Sequence, residues 1–408
     1  MPTGRDTPTT PEPAPRLRGR VAHALGLERN VVAVSAAVLL MSGGEELWRR
    51  FLPKYLEALG AGALAVGFFG TLKDFLDAVY QYPGGWLADR FGRRRAFHLF
   101  IVIASVGYAL YLFSPSWPFV FAGLVFSLAW QSMASPAIFA VIGDALPRER
   151  RAMGFTVQSL LKRVPMTLAP LAGGALIATS GVVGGVRWGL AATLVLAGVT
   201  AFVVRSINLP VITGEHLTLR GIWRTFHGAL KRLLISDIII RTCEGLTDIF
   251  VVLYVTNVKG VPVASYGVLV ALQMATSVVV YVPAAKLADR VGRKPLVIAT
   301  FVCFALFPVA VVASGGFASL VAAFVVGGLR EIGEPSRKAL IVDLAEPHLR
   351  ARTVGIYYLV RSLSITPAAA VGGALWQVAP EVPFLLAGAV GLVGTLVFAL
   401  TVEERYAG

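Results

Sequence analysis

The chain predicts an all-α membrane protein, with about twelve transmembrane helices in two parallel six-helix repeats around a central cavity. Three observations predict it. The 408 residues are 56% hydrophobic and only 15% charged, with a mean hydropathy of +0.72, too apolar for a soluble domain of ordinary make-up. Apolar runs of about 20 residues, the length that crosses a bilayer, recur along the chain. One basic segment also occurs twice: Gly84-Gly85-Trp86-Leu87-Ala88-Asp89-Arg90-Phe91-Gly92-Arg93-Arg94-Arg95 returns as Ala284-Ala285-Lys286-Leu287-Ala288-Asp289-Arg290-Val291-Gly292-Arg293-Lys294. The offset of about 200 residues is half the protein, as an internal duplication requires.

The elements follow in order. Residues 1–28 are rich in Pro and Thr, with Arg16, Arg18 and Arg20 and no apolar h-region, so they read as a disordered cytoplasmic tail, not a signal peptide. An N-terminal bundle is expected over 29–206, with spans at 30–56, 62–83, 96–114, 118–142, 153–179 and 187–205. A cytoplasmic linker over 207–232 joins the halves, and its Ile222, Phe226 and Leu230 are spaced for an amphipathic turn on the membrane surface. The C-terminal bundle is expected over 233–405, with spans at 233–257, 264–284, 296–314, 317–341, 352–377 and 383–402. Cys243 and Cys303 both fall inside expected spans, so they suggest neither a metal set nor a disulfide framework. No cofactor is expected.

A net charge of +14 raises the question of nucleic acid, and the placement of the basic residues answers it. They fall in alternate loops: Arg90 with Arg93, Arg94 and Arg95; Arg148, Arg150 and Arg151; Arg205, Arg220, Arg224, Lys231 and Arg232; Arg290, Arg293 and Lys294; Arg350 and Arg352. The intervening loops are short and nearly uncharged. The positive-inside rule puts the basic loops and both termini in the cytoplasm. No aromatic-studded basic stripe follows a phosphate backbone, so the expected partners are the lipid bilayer and a small molecule, not nucleic acid.

The duplication extends beyond the basic segment. Asp144-Ala145-Leu146-Pro147-Arg148-Glu149-Arg150 is echoed by Asp343-Leu344-Ala345-Glu346-Pro347-His348-Leu349-Arg350, and Pro170-Leu171-Ala172-Gly173-Gly174 by Ala369-Ala370-Val371-Gly372-Gly373. An even number of spans per half gives both halves the same orientation, as parallel repeats require. On these residues the chain, over about 29–405, resembles the major facilitator superfamily. That resemblance implies a transporter, not an enzyme, whose halves rock about a central site. It also implies a cytoplasmic gate made of Gly85, Asp89, Arg90, Gly92 and Arg93 with Asp144, and of Asp289, Arg290, Gly292 and Arg293 with Asp343. The residue chemistry is compatible: Gly84, Gly85 and Gly92 allow a tight turn, and Asp89 can accept from amides at a helix N-terminus. A structural turn that doubles as an orientation signal explains the same residues.

Charges within the spans are the most discriminating signal. Spans three, six, nine and twelve have essentially none in their interiors. The first carries Glu45, Glu46, Arg49 and Arg50, the second Lys73, Asp74 and Asp77, and the fifth Lys162 and Arg163. The seventh carries Asp237, Arg241, Glu244 and Asp248, the tenth Arg330, Glu331, Glu334, Arg337 and Lys338, and the eleventh Arg361. At about 2.5–3.5 kcal/mol per charge near a helix centre, lipid exposure of this set costs tens of kcal/mol, so these residues face water or one another. In the superfamily every third span is peripheral, which matches this distribution.

The expected substrate and proton pathway comprises Glu45, Glu46, Arg49, Asp74, Asp77, Lys162, Arg163, Arg241, Glu244, Asp248, Arg330, Glu331, Glu334 and Arg361. Helical spacing aligns Asp237, Arg241, Glu244 and Asp248 on one stripe. It also predicts pairs of Glu45 with Arg49, Glu46 with Arg50, Lys73 with Asp77, and Glu334 with Arg330 and Lys338, so about half of these charges are candidate structural braces. Asp77 and Glu334 are the favoured proton carriers, each sharing its helix with an opposite charge.

Pro165 followed by Ala169-Pro170-Leu171-Ala172-Gly173-Gly174 resembles an element of exporters in the superfamily, although close helix packing alone also explains it. Drug–proton antiporters carry an Arg and a Gln on the fourth span, where this chain has Trp130 and Gln131, and its arginine appears in the second half as Arg330. The expected function is proton-coupled efflux of a small organic compound by a monomer in the cell membrane. Uptake symport, facilitated diffusion, a membrane enzyme and a non-transporting sensor are the alternatives. No nucleotide loop, metal cluster or nucleophile triad is present in the sequence.

Overall fold

The computed structural model describes residues 28–145, 148–207, 226, 228–344 and 350–402. Nearly all of the tail and most of the linker lie outside the described residues. In the first half the helices are α1 (Arg29–Glu46), α2 (Leu52–Ala58), α3 (Ala63–Phe91), α4 (Arg93–Leu112), α5 (Trp117–Leu128), α6 (Ala134–Ala145) and α7 (Arg148–Val203). In the second they are α8 (Gly228–Thr247), α9 (Val251–Leu253), α10 (Val263–Val291), α11 (Arg293–Ala313), α12 (Phe317–Leu329), α13 (Glu334–Asp343), α14 (Arg350–Ile365), α15 (Ala368–Trp376) and α16 (Val382–Thr401).

These segments make six membrane crossings in each half. α1 and α2 form one broken span, α5 and α6 another, and α8 with α9, α12 with α13 and α14 with α15 likewise. α7 holds two spans. It reverses at Gly181, whose φ of 71° and ψ of 173° fall outside the helical region, so the loop expected between 179 and 187 is one residue. Eight stretches are long and apolar enough to cross a bilayer, and one of them, Leu161–Ser206, contains both spans of α7. The spans that fall short, α3, α8–α9 and α12–α13, each carry three or more internal charges. Charge inside a span marks a wet or paired interior, which a purely apolar criterion misses.

The duplication is visible in the backbone. Gly60 and Gly92 have φ of 93° and 81°, and their counterparts Gly260 and Gly292 have 68° and 89°, a region that favours glycine. Pro83 and Pro283 sit inside α3 and α10 at matching positions. The doubled segment itself is helical as far as Phe91 and Val291, so the expected tight turn is made by Gly92 and Gly292 alone. Gly84 and Gly85 are helical. Gly84 is small for a different reason: a Cβ there would lie 2.3 Å from the carbonyl of Met133, so it brings α3 against the fourth span.

The halves meet along two seams, α7 against α10 and α3 against α15. Both are lined by the small residues of the second repeated landmark. A Cβ on Gly174 would approach Ala264 O to 2.6 Å, one on Gly267 would approach Pro170 O to 2.3 Å, and one on Gly67 would approach Ala369 O to 2.6 Å. Gly67 and Gly267 lie in the opening turns of α3 and α10, whose far ends carry the basic segments. The halves therefore pack backbone to backbone at the end opposite the basic loops. There Asn257 donates to Glu57 Oε1 at 2.5 Å, and Lys54 bridges Glu57 and Asn257.

Candidate substrate pathway

Between the seams lies a polar crevice in two connected parts. One, of about 310 Å³, is lined by α3, α8 and α14 residues including Lys73, Asp74, Asp77, Arg241 and Arg361. The other, of about 460 Å³, includes Glu45, Glu46, Lys162, Arg163, Arg330, Glu331 and Lys338. Arg49, Arg50, Glu244 and Asp248 line both. Thirteen residues of the expected pathway thus border the crevice, and the remaining one, Glu334, binds Arg241 on its wall at 3.1 Å. Charges from both halves converge at mid-helix depth, where an organic solute can be held away from lipid.

In the first half one of the three pairs that i, i+4 spacing predicts, Glu46 with Arg50, is present, and the other two are replaced. The helix stops after Glu46 and passes into a 3₁₀ turn, Arg49–Phe51, which tightens the register. Glu46 therefore binds Arg49 at i+3 as well as Arg50 Nε at 3.6 Å. Glu45 is left to accept from the hydroxyl of Tyr108 on α4. Lys73 binds its neighbour Asp74 at 2.8 Å, and Asp77 accepts from Ser132 Oγ at 2.5 Å, across to the π turn of the fourth span. Among the described residues Lys162 has no ion pair, and it is exposed to the crevice. Arg163 reaches across the halves to Ser277 Oγ at 3.1 Å and Glu331 at 3.2 Å.

The second half holds a buried network. Arg337, 1% exposed, forks onto Glu334 at 2.6 and 3.0 Å and binds Asp237, fully buried, at 2.6 Å. Asp237 also accepts from Tyr357 at 3.0 Å and from Arg361 at 3.4 Å. Arg241 bridges Glu334 at 3.1 Å and Glu244 at 2.8 Å. Arg330 does not pair with Glu334, because helix α12 ends at Leu329 and α13 restarts at Glu334. It turns to Glu244 at 3.6 Å and lies over the rings of Phe304 and Phe307. Asp248 leaves the expected stripe: α8 ends at Thr247, and Asp248 opens a 3₁₀ turn, exposed to the crevice.

Asp237 and Arg337 were visible as charges but not as site residues. Asp237 shares the α8 stripe with Arg241 and Glu244, yet its partner is 100 positions away, beyond any spacing rule. Most aromatics near the crevice pack or brace: Tyr357 serves Asp237, Trp48 donates to Thr193 at 3.0 Å, and Tyr55 donates to the Tyr111 carbonyl at 2.8 Å. Trp130 and Gln131 do line the crevice.

Of the expected gate, the structure joins Arg293 to Asp343 in an ion pair within the second half. Arg90 is exposed and lies over the Trp86 ring, 5.0 Å from its centroid. Arg93 is buried, Arg290 is exposed, and Gly85 is helical. The side chains of Asp89, Asp144 and Asp289 lie outside the described residues.

The Major Facilitator Superfamily profile matches residues 34–236 and again 233–408. The chain belongs to this superfamily. It is therefore a multi-pass membrane transporter of small molecules, not an enzyme. Superfamily relatives span nearly its full length. The MFS-type transporter MJ1317 of Methanocaldococcus jannaschii is 21% identical over 91% of this chain and 94% of its own. The multidrug resistance protein MdtH of Photorhabdus laumondii is 24% identical over 83% of this chain and 86% of its own. The fold resembles the crystal structure of the nucleoside transporter NupG, with a TM-score of 0.76 and 11% identity, covering 92% of this chain and all of that one.

Proposed function

We propose that the chain is a secondary active exporter that couples outward movement of a small organic compound to inward proton flow by alternating access. The carrying observation is the crevice: charges from both halves meet there, and it is closed on the side away from the basic loops by small-residue seams and the polar contacts of Lys54, Glu57 and Asn257. Such seams separate without extracting large side chains, which suits a rocking motion. The likeness to MdtH, a multidrug resistance protein, supports efflux, and the Pro170–Gly174 element lies in the seam that must open outward.

Asp77 is the better proton carrier of the two favoured carboxylates. It borders the crevice with one hydroxyl partner, whereas Glu334 is bound by Arg337, Arg241 and Lys338 and serves as a brace. The Arg293–Asp343 pair stiffens the basic-loop end of the second half. The positive-inside rule places that end and both termini in the cytoplasm of a monomer in the cell membrane.

The test is purified protein in liposomes under an imposed pH gradient, screened against a compound panel with internal pH followed. Gradient-driven transport with counterflow of protons is expected. Asp77→Asn should lower gradient-driven transport at least tenfold while preserving compound exchange without a gradient. Transport indifferent to the gradient would remove proton coupling.

A further inference from the structure

The first helix of each half breaks at the same register. α1 yields to the 3₁₀ turn Arg49–Phe51, and α8 to the 3₁₀ turn Asp248–Phe250. The residue before each turn has nearly the same dihedrals, φ −125° and ψ −26° at Trp48 against φ −122° and ψ −28° at Thr247. Duplicated backbone breaks at mid-span are where repeat-built transporters expose polar groups to a central site.

The two turns carry opposite charge: Arg49 and Arg50 from the first half, Asp248 from the second. All three border both parts of the crevice. Asp248 is exposed there and, among the described residues, makes neither a hydrogen bond nor an ion pair. Arg50 is held by one contact of 3.6 Å, and its Nε is buried without a hydrogen-bond partner. Arg50 and Lys73 lie within electrostatic reach of Asp248 without bonding it. The symmetry thus leaves an incompletely paired cation and an unpaired carboxylate facing one shared space.

We propose that this pair of turns is the substrate site, and that its ligand is a zwitterion, with its cationic end on Asp248 and its anionic end on Arg50. A zwitterion satisfies both groups at once through charge-assisted hydrogen bonds, whereas a singly charged solute leaves one of them desolvated and unpaired. The inference rests on the transporter reading above and names its substrate class.

The experiment uses the full-length protein in detergent and measures affinity by ligand-induced thermal stabilisation. The probes are three matched sets built on phenylalanine, glycylphenylalanine and 4-aminobutyrate, each as the zwitterion, the carboxamide and the N-acetyl form. At least one zwitterion is expected to bind ten times more tightly than both of its capped forms. Asp248→Asn should erase its advantage over the N-acetyl form, Arg50→Gln its advantage over the carboxamide, and Asp248→Glu should restore part of the loss. A capped form that binds as tightly as its zwitterion, or no binding by any of the three zwitterions, overturns the proposal. Transport of a neutral or singly charged compound in liposomes, with zwitterions ignored, sinks this assignment and leaves the exporter reading standing. A protein that moves no compound against a gradient sinks the exporter reading instead.

Discussion

The two halves share a backbone plan but hold their charges differently. In the second half Asp237, Glu334, Arg337, Arg241 and Arg361 form one connected network, with Asp237 and Arg337 almost wholly excluded from solvent. In the first half the contacts are separate and do not join into one network: Glu46 on Arg49 and Arg50, Glu45 on Tyr108, Lys73 on Asp74, Asp77 on Ser132, and Lys162 without an ion pair among the described residues. A buried, multiply bonded network favours one arrangement, because removing one member strands a charge in low dielectric. Loosely held charges can change partners or protonation at little cost. The comparison assigns stiffness to the spans of the second half and responsiveness to those of the first.

The largest expected effect tests the stiff side. Arg337→Ala leaves the fully buried Asp237 with the Tyr357 hydroxyl and only long contacts to cations, Arg361 at 3.4 Å and Arg241 at 4.0 Å, and should cost about 3–5 kcal/mol of stability. Thermal unfolding of the detergent-solubilised protein measures it. Arg50→Ala, on the responsive side, should cost at most about 1 kcal/mol, as for a single partly solvated pair. Equal losses in the two variants would break the comparison.

Next comes the seam that both halves share. A Cβ on Gly267 would sit 2.3 Å from Pro170 O, a backbone atom that no rotamer change can move. Overpacking of this kind costs about 1–3 kcal/mol, all of it charged to the state in which the seam is closed. Gly267→Ala should therefore shift the population toward opening on that side by about 5- to 150-fold. With Cys243 and Cys303 replaced by Ser, a single cysteine at Ala264 should react correspondingly faster with a membrane-impermeant thiol reagent. Unchanged reactivity would show that the seam does not part.

How much of this was legible in the sequence depends on range. Spans three, six, nine and twelve lack internal charge, which matched the peripheral place that the family resemblance implies, and α4, the later part of α7, α11 and α16 carry exposed apolar faces at Val102, Phe202, Leu306 and Leu396. The duplicated segment was equally plain, but its glycines were misread. Two of them are helical, and Gly84 serves packing against Met133, a contact made by a residue about 50 positions away that no turn rule can reveal. Charge pairing was only partly legible where a helix was interrupted: Glu46 does meet Arg50, but Glu45 does not pair with Arg49 nor Glu334 with Arg330. The 3₁₀ turn after Glu46, the restart at Glu334 and the break at Asp248 each change which residues lie on one face. Asp237 with Arg337 was out of reach, since interhelical partners are set by tertiary packing that no spacing rule within one helix contains.

The smallest expected effect is the sharpest control on what burial contributes. Lys338 and Arg337 are adjacent in sequence and share the carboxylate of Glu334. They differ in exposure, 56% for the Lys338 side chain against 1% for Arg337, and in contact, one nitrogen at 3.7 Å against a fork. A solvated pair of that length gives about 0–1 kcal/mol. Lys338→Gln should therefore leave the unfolding temperature almost unchanged, while its neighbour's loss is severe. The same variant also removes a cation from the crevice wall, so its effect belongs in transport and not in stability. If Lys338→Gln destabilises the protein as much as Arg337→Ala does, burial does not separate the two groups. The stiffness of the second half must then come from its summed charge and not from the few bonds that exclude water.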